Sequence, residues 1–330
     1  MRAISTFSGL GGSSLGYRNA GFKMLACVEW DRHAVDSYKL NHPSTRIYHE
    51  DITKISPSRM RGELGLEVGE LDLLDGSPPC QGFSSAGKRE FNDPRNHLFW
   101  SHLRLIEEFQ PRAIVVENVA GLIRGKMKRH ARAIQEALES QGYEVIVGLV
   151  KATCFGVPSY RPRTFFIGLR SDLGISPAFP PVTHDKYVSC SEALKGVAPV
   201  TMPNSPGKNT QSEFLRKNLL PGECGEDVWR RLRINKTGSF GVLKIHPRKP
   251  AFTVIKSCTG YWHWTHRHIS LEEALVLTGF PSDYRIAPAG FRKKWERIGN
   301  SVAPPVAEAI GRQLIRQLGG VHGSQEQIHG

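Results

Sequence analysis

The sequence predicts an α/β fold, a doubly wound and mostly parallel sheet that carries a small irregular insertion. Two observations lead there. Over roughly the first 170 residues, short apolar runs alternate with helical spacing, as in successive βαβ units. From Ser171 to His266 periodicity fades and proline and glycine become frequent, and helical spacing then returns.

In order, Ala3–Phe7 reads as the first strand, Ser13–Ala20 as its helix and Lys23–Val28 as the second strand. Leu71–Leu74 and Ala113–Val116 are buried-strand candidates. Between them Leu98, Phe99, Leu103, Ile106 and Phe109 recur at helical spacing. Ala131–Ser140 is a further helix, and Val145–Val150 and Thr164–Gly168 are two more strands. Past the insertion, Ser270–Thr278 and Pro305–Leu318 are helical, with Val306, Ile310 and Leu314 on one face. The expected division is therefore a discontinuous domain of residues 1–170 plus 267–330, interrupted by a domain of residues 171–266.

Charge narrows the class of partner. Lys and Arg number 44 against 31 Asp and Glu, a net charge of +13 over 330 residues. Such an excess favours a polyanion, nucleic acid before membrane. The inserted segment shares the bias, with 13 Lys/Arg against 7 Asp/Glu. Cysteines at 27, 80, 154, 190, 224 and 258 form no metal-knuckle spacing, so no metal is expected, and a reducing cytoplasm fits them best. No apolar run approaches the ~20 residues of a membrane span.

The stretch FSGLGGSSLG, Phe7 to Gly16, follows a strand and opens a helix, where glycines let backbone crowd a ligand. Against the GxGxxG dinucleotide fingerprint, Gly9 and Gly11 fit, but Ser14 takes the third glycine's place and Gly12 intervenes. That departure weakens a nicotinamide reading. Glu29, about 20 residues past the glycines at the next strand end, is placed to bond ribose hydroxyls, and Trp30 beside it to lie against a purine. Together these features predict a nucleoside-bearing cofactor.

The stretch DGSPPCQGF sets Cys80 in a rigid Pro-Pro-Cys turn straight after an apolar run. A cysteine that only fills a core needs no such neighbours. With Pro78-Pro79-Cys80-Gln81, then Glu117-Asn118-Val119, Arg161-Pro162-Arg163 and Gly299-Asn300-Ser301-Val302 in that order, the chain resembles the bacterial-type DNA (cytosine-5)-methyltransferases. The likeness runs from Phe7 to about Leu318 except the segment 171–266.

The resemblance implies a Rossmann-like domain that binds S-adenosyl-L-methionine, releases S-adenosyl-L-homocysteine and methylates double-stranded DNA. It makes Cys80 the nucleophile that adds to carbon 6 of cytosine, so that carbon 5 becomes enamine-like. Pro79 would offer its carbonyl to the ring amino group, and Glu117 would contact N3. Arg163 would meet O2, with Arg161 as its support. Phe7, Gly9, Leu10, Gly11 and Gly12 would line the cofactor pocket, with Glu29 on the ribose and Trp30 on the adenine. Asp51 and Ile52 would read the adenine amino edge, and Asn300, Ser301 and Val302 would close the pocket beside Pro79. Family members usually carry a glutamine where this chain has Ser159.

A cytosine must leave the duplex to meet a thiolate. The stretch Gln81 to Asn96, with Ser84, Ser85, Lys88 and Arg89, reads as a lid that closes behind it. The insertion 171–266 reads as the target-recognition domain. Arg230, Arg231, Arg233, Lys244 and Arg248 are its expected phosphate contacts. The nearest rival is a tRNA cytosine-5 methyltransferase, but Cys258-Thr259 lacks the intervening phenylalanine of that enzyme's Cys-Phe-Thr signature. A catalytically silent DNA-binding regulator of the same fold is the other rival, opposed by the intact Cys80, Glu117 and Arg163. A monomer working beside a separate restriction endonuclease is the expected setting.

Overall fold

The computed structural model describes residues 1–79, 97–203, 210–257 and 260–325. Cys80, Gln81, Ser84, Ser85, Lys88 and Arg89 lie outside these described residues, and so does the expected lid. The elements run β1 (Arg2–Thr6), α1 (Gly12–Ala20), β2 (Lys23–Val28), α2 (Arg32–Asn41), β3 (Arg46–Tyr48), α3 (Pro57–Glu63) and β4 (Leu73–Gly76). They continue with α4 (His97–Phe109), β5 (Ala113–Val119), α5 (Lys128–Glu139), β6 (Tyr143–Lys151) and β7 (Pro162–Arg170). Next come α6 (Cys190–Ala193), α7 (Thr210–Asn218), α8 (Gly225–Arg231), β8 (Leu243–Lys244) and β9 (Tyr261–Trp262). Helices α9 (Leu271–Leu277), α10 (Phe291–Asn300) and α11 (Pro304–Gln325) complete the order.

The chain forms two compact units, one of Met1–Val150, Pro162–Pro181 and the segment from Val306, the other of Lys151–Arg161 and Val182–Pro305. In the first, seven strands follow the order β3-β2-β1-β4-β5-β7-β6. The pairs β2–β1, β1–β4 and β4–β5 are parallel, whereas β7 runs antiparallel to β5. The apolar runs supply the reason. Ile4, Leu74, Ile114, Val116 and Phe166 are buried in one cluster with Phe99, Leu103, Ile106 and Phe109 of α4. Helix α11 belongs to this unit. A Cβ on Gly311 would lie 2.8 Å from Ala20, and Arg112 donates to the Leu318 carbonyl at 3.1 Å.

The second unit has its own small core of Leu215, Leu219, Val228, Trp229 and Trp262. Its limits differ from the expected 171 and 266, because Lys151–Arg161 and residues 267–305 pack within it. The Trp295 indole of α10 donates to the Ile255 carbonyl at 2.9 Å. On the same helix, a Cβ on Gly299 would stand 2.5 Å from that carbonyl group. Glycine is thus required there, and α10 is fastened to the 250s within the second unit.

Candidate active site

Open α/β sheets present functional groups at the carboxyl ends of their parallel strands, and the site is built there in the first unit. Past β1 the chain turns sharply. Gly9 and Gly11 take left-handed φ values of 53° and 88°, and so does Phe7 at 54°, a conformation that costs a bulky residue energy. Gly11 caps α1, and Leu10 and Gly12 are buried behind the turn. A Cβ on Gly9 would meet only the Phe7 carbonyl oxygen, at 4.0 Å, so this face of the turn is open.

Glu29 follows β2 and is buried. Its carboxylate accepts from the Gly9 amide at 2.8 Å and from the Trp30 and Asp31 amides at 2.9 Å each. Three backbone donors therefore fix its position and tie the second strand end to the glycine turn. Trp30 beside it stands 73% exposed, a large apolar face with no protein cover. Asp51 caps a short turn by accepting from the Thr53 amide at 2.9 Å, and Ile52 is buried in the core. An anchored carboxylate, an open glycine turn and a bare indole fit a ligand that carries ribose and a purine.

At the ends of β4 and β5 the next group assembles. The Glu117 carboxylate meets the Arg163 guanidinium at 3.0 Å, with side chains only 11% and 18% exposed. Arg163 also donates to its neighbour's carbonyl, Pro162, at 2.8 Å. The Asn118 amide donates to the Pro78 carbonyl at 3.1 Å and so fastens the Pro-Pro turn to β5, leaving Pro79 exposed. In the sequence Asn118 stands only as the neighbour of Glu117 in the Glu117-Asn118-Val119 motif. No pattern in the sequence announces this bond, because Pro78 and Asn118 stand 40 residues apart.

Arg161 has carbonyl partners of its own. It is buried within the second unit and donates to the carbonyls of Val254 at 2.9 Å, Gly299 at 3.0 Å and Ser301. The arginine thereby holds the turn that carries Asn300, Ser301 and Val302, of which Asn300 is exposed and the other two buried. Ser159 is fully buried at a bridge with Ala251, out of reach of any phosphate.

The expected phosphate contacts divide. Arg230, Arg231, Arg233 and Arg248 are exposed. Arg230 faces Asp227 at 3.5 Å and Arg231 faces Glu223 at 2.9 Å. Lys244 is the correction. It is fully buried, its ammonium donates to the Leu219 carbonyl, and burial lowers its pKa, because the β8 residue points into the core of the unit. Among the described cysteines, burial pushes Cys27 and Cys190 up to about 12, which leaves them inert thiols. No cluster of metal ligands occurs among the described residues, and none of their helices is long and apolar enough to cross a membrane.

Sheet order and strand-end site together define a Rossmann-like methyltransferase. A putative DNA modification methyltransferase encoded within a prophage (E. coli) is similar in structure, with TM-score 0.76 and 26% identity over 97% of this chain and 99% of that one. DNMT2 of Spodoptera frugiperda, at 18% identity and TM-score 0.64 over 95% and 99% of the two chains, shares the fold. In sequence, the chain is 32% identical to the Type II methyltransferase M1.HphI of Haemophilus parahaemolyticus, over 95% of this chain and 86% of that protein. It is 35% identical to the Type II methyltransferase M.XorII of Xanthomonas oryzae pv. oryzae, over 96% and 84%. The family described as C-5 cytosine-specific DNA methylase matches residues 1–316, and the chain belongs to it, a DNA (cytosine-5)-methyltransferase.

Proposed function

We propose that this chain methylates carbon 5 of a cytosine flipped out of one short double-stranded DNA sequence. S-adenosyl-L-methionine is the methyl donor and S-adenosyl-L-homocysteine the product. The observation that carries the reading is the buried Glu117–Arg163 pair beside a Pro-Pro turn anchored by Asn118. Two charged groups held this way, with Glu117 one residue before the Asn118 that anchors the turn, suit a planar ring with both donor and acceptor edges.

When bound, S-adenosyl-L-methionine supplies an electrophilic methyl group. Glu29 would hold its ribose and Trp30 its adenine, with Asp51 and Ile52 at the amino edge. Cys80 adds as thiolate to carbon 6, forming the S–C bond as the ring's C5–C6 double bond shifts its electrons toward carbon 5. Glu117 holds N3 and the exocyclic amino group, and Arg163 holds O2 where negative charge gathers. After methyl transfer, the carbon-5 proton leaves to a base and the thiolate is expelled, restoring the ring. Arg161 acts through the turn at Asn300–Val302 rather than on the base. The exposed arginines Arg230, Arg231, Arg233 and Arg248 contact phosphates, and residues 171–266 select the sequence.

Type II relatives favour a restriction-modification setting, with a separate endonuclease and a monomeric enzyme in the bacterial cytoplasm. The test is cytosine-methylation sequencing of DNA from a methylation-free bacterial host that expresses the protein or its Cys80→Ser variant. Full modification of one short motif, absent with the variant, is expected. An unmethylated genome in the presence of abundant soluble protein would refute the DNA reading.

A further inference from the structure

Beneath the glycine turn, a carboxylate is buried where the core needs none. Asp75 lies on β4, five residues before Cys80 in the sequence, and is 2% exposed. Its two oxygens accept from Ser5 of β1 and from Tyr17 of α1, each at 3.0 Å, and Ser13 of α1 is a third hydroxyl donor to it. The Asp75 carbonyl in turn accepts from Thr6 at 3.2 Å. Thr6 meets the His102 ring of α4 at 3.0 Å. A parallel bond from Tyr38 of α2 to Ser14 at 2.9 Å extends the layer. The acceptor thus joins the strand that leads to the Pro-Pro turn with the first two turns of the helix that the glycine turn opens.

We propose that Asp75 is a positioning residue, whose carboxylate sets the register of α1 against β1 and β4 and so the shape of the cofactor cradle. This rests on the reading of that cradle as the S-adenosyl-L-methionine site. Ser13, Ser14 and Tyr17 are buried residues of α1, and the helix starts at Gly12, one residue past the Gly11 cap. An ionised acceptor with three converging hydroxyl donors permits one arrangement of those hydroxyls. A neutral amide or acid, which must also donate, permits several. Stability alone gives no reason for the group, because a buried charge with only neutral partners is expensive to ionise. Burial is accordingly the dominant influence on its carboxyl and raises it to about 6 despite the hydroxyls. The titratable groups that face it are Tyr17 from α1, which burial keeps neutral, and Glu117 from β5, whose charge adds to the rise. His102 from α4 is lowered to about 4 by burial and is neutral in the same range.

The experiment is calorimetric titration of S-adenosyl-L-homocysteine into the full-length protein without DNA, together with thermal melting. Wild type should bind, and affinity should fall several-fold between pH 7.5 and pH 5 as Asp75 takes up a proton. Asp75→Asn should bind about tenfold more weakly at pH 7.5, with that pH dependence reduced and with a melting temperature no lower than wild type. Tyr17→Phe, which keeps the ring and drops one donor, should bind a few-fold more weakly and serves as the deciding variant should Asp75→Asn fail to fold. Equal affinity in the variants, or affinity lost only in step with melting temperature, would overturn the positioning role. Failure of wild type to bind would instead overturn the cofactor reading itself.

Discussion

Glu117 and Arg163 illustrate how much depends on one contact, since their side chains are almost wholly enclosed at 3.0 Å from each other. Glu117→Gln keeps the shape and removes the charge, so turnover should fall about 10²–10⁴-fold while DNA binding persists. Arg163→Ala strands a buried carboxylate and should cost both turnover and roughly 3 kcal/mol of stability, read by urea denaturation. Gly299 makes a different demand. Gly299→Ala would push a methyl carbon to 2.5 Å from the Ile255 backbone, and overpacking of that kind costs about 1–3 kcal/mol. Hydrogen exchange should show the loss in α10 and the 250s and leave β1–β5 protected as before. Glycine, asparagine and arginine in those motifs are visible in the sequence as markers of a family. Their physical reasons are not, because a close backbone approach or a carbonyl in need of a donor exists only once distant segments meet.

Among the elements, most strands of the first sheet are readable as short apolar runs, as in Leu73–Leu74 of β4, Ala113–Val116 of β5 and Phe165–Ile167 of β7, all buried. Helix α2 was not foreseen. It buries only Ala34, Val35, Ser37 and Tyr38, too few for a clear stripe, and its signal was the cap, Asp31 accepting from the Ala34 amide at 3.0 Å. Strand β3, three residues long, offers even less pattern. Asp75 escaped for the opposite reason, since a lone acid in an apolar run looks like a strand end. Its effect on the α1–β4 layer can be measured through pH. The carboxyl is raised from 3.8 to about 6, so the fold holds its proton more tightly than the unfolded chain does. The contribution of Asp75 to stability therefore declines as pH rises from about 4 to 6, by an amount on the order of 3 kcal/mol for a shift of this size. The difference between the urea midpoints of wild type and Asp75→Asn, followed across that range, should show the decline.

For the whole molecule, a net charge of +13 predicts DNA affinity that falls steeply with salt. Replacing Arg230 or Arg248 by alanine should lower the slope of log affinity against log salt by about 1 each, as expected for a lost phosphate contact. Lys244→Ala should instead leave the slope unchanged and destabilise the second unit, since its ammonium serves the Leu219 carbonyl. The charge excess could be counted in the sequence, but which basic residues reach solvent could not, because two-residue β8 has no readable period.

The placement of Val306–Leu318 also bears on how the protein is made. That segment completes the first unit, through Gly311 against Ala20 and through the Leu318 carbonyl held by Arg112, yet it is translated after the entire second unit. Domains generally fold as they emerge from the ribosome. Here the sheet must wait for its closing helix, so a ribosome that stalls before residue 306 releases a chain whose α1 surface is bare. Nascent chains are therefore expected to hold chaperones until that segment has emerged, which chaperone capture from stalled ribosomes would check.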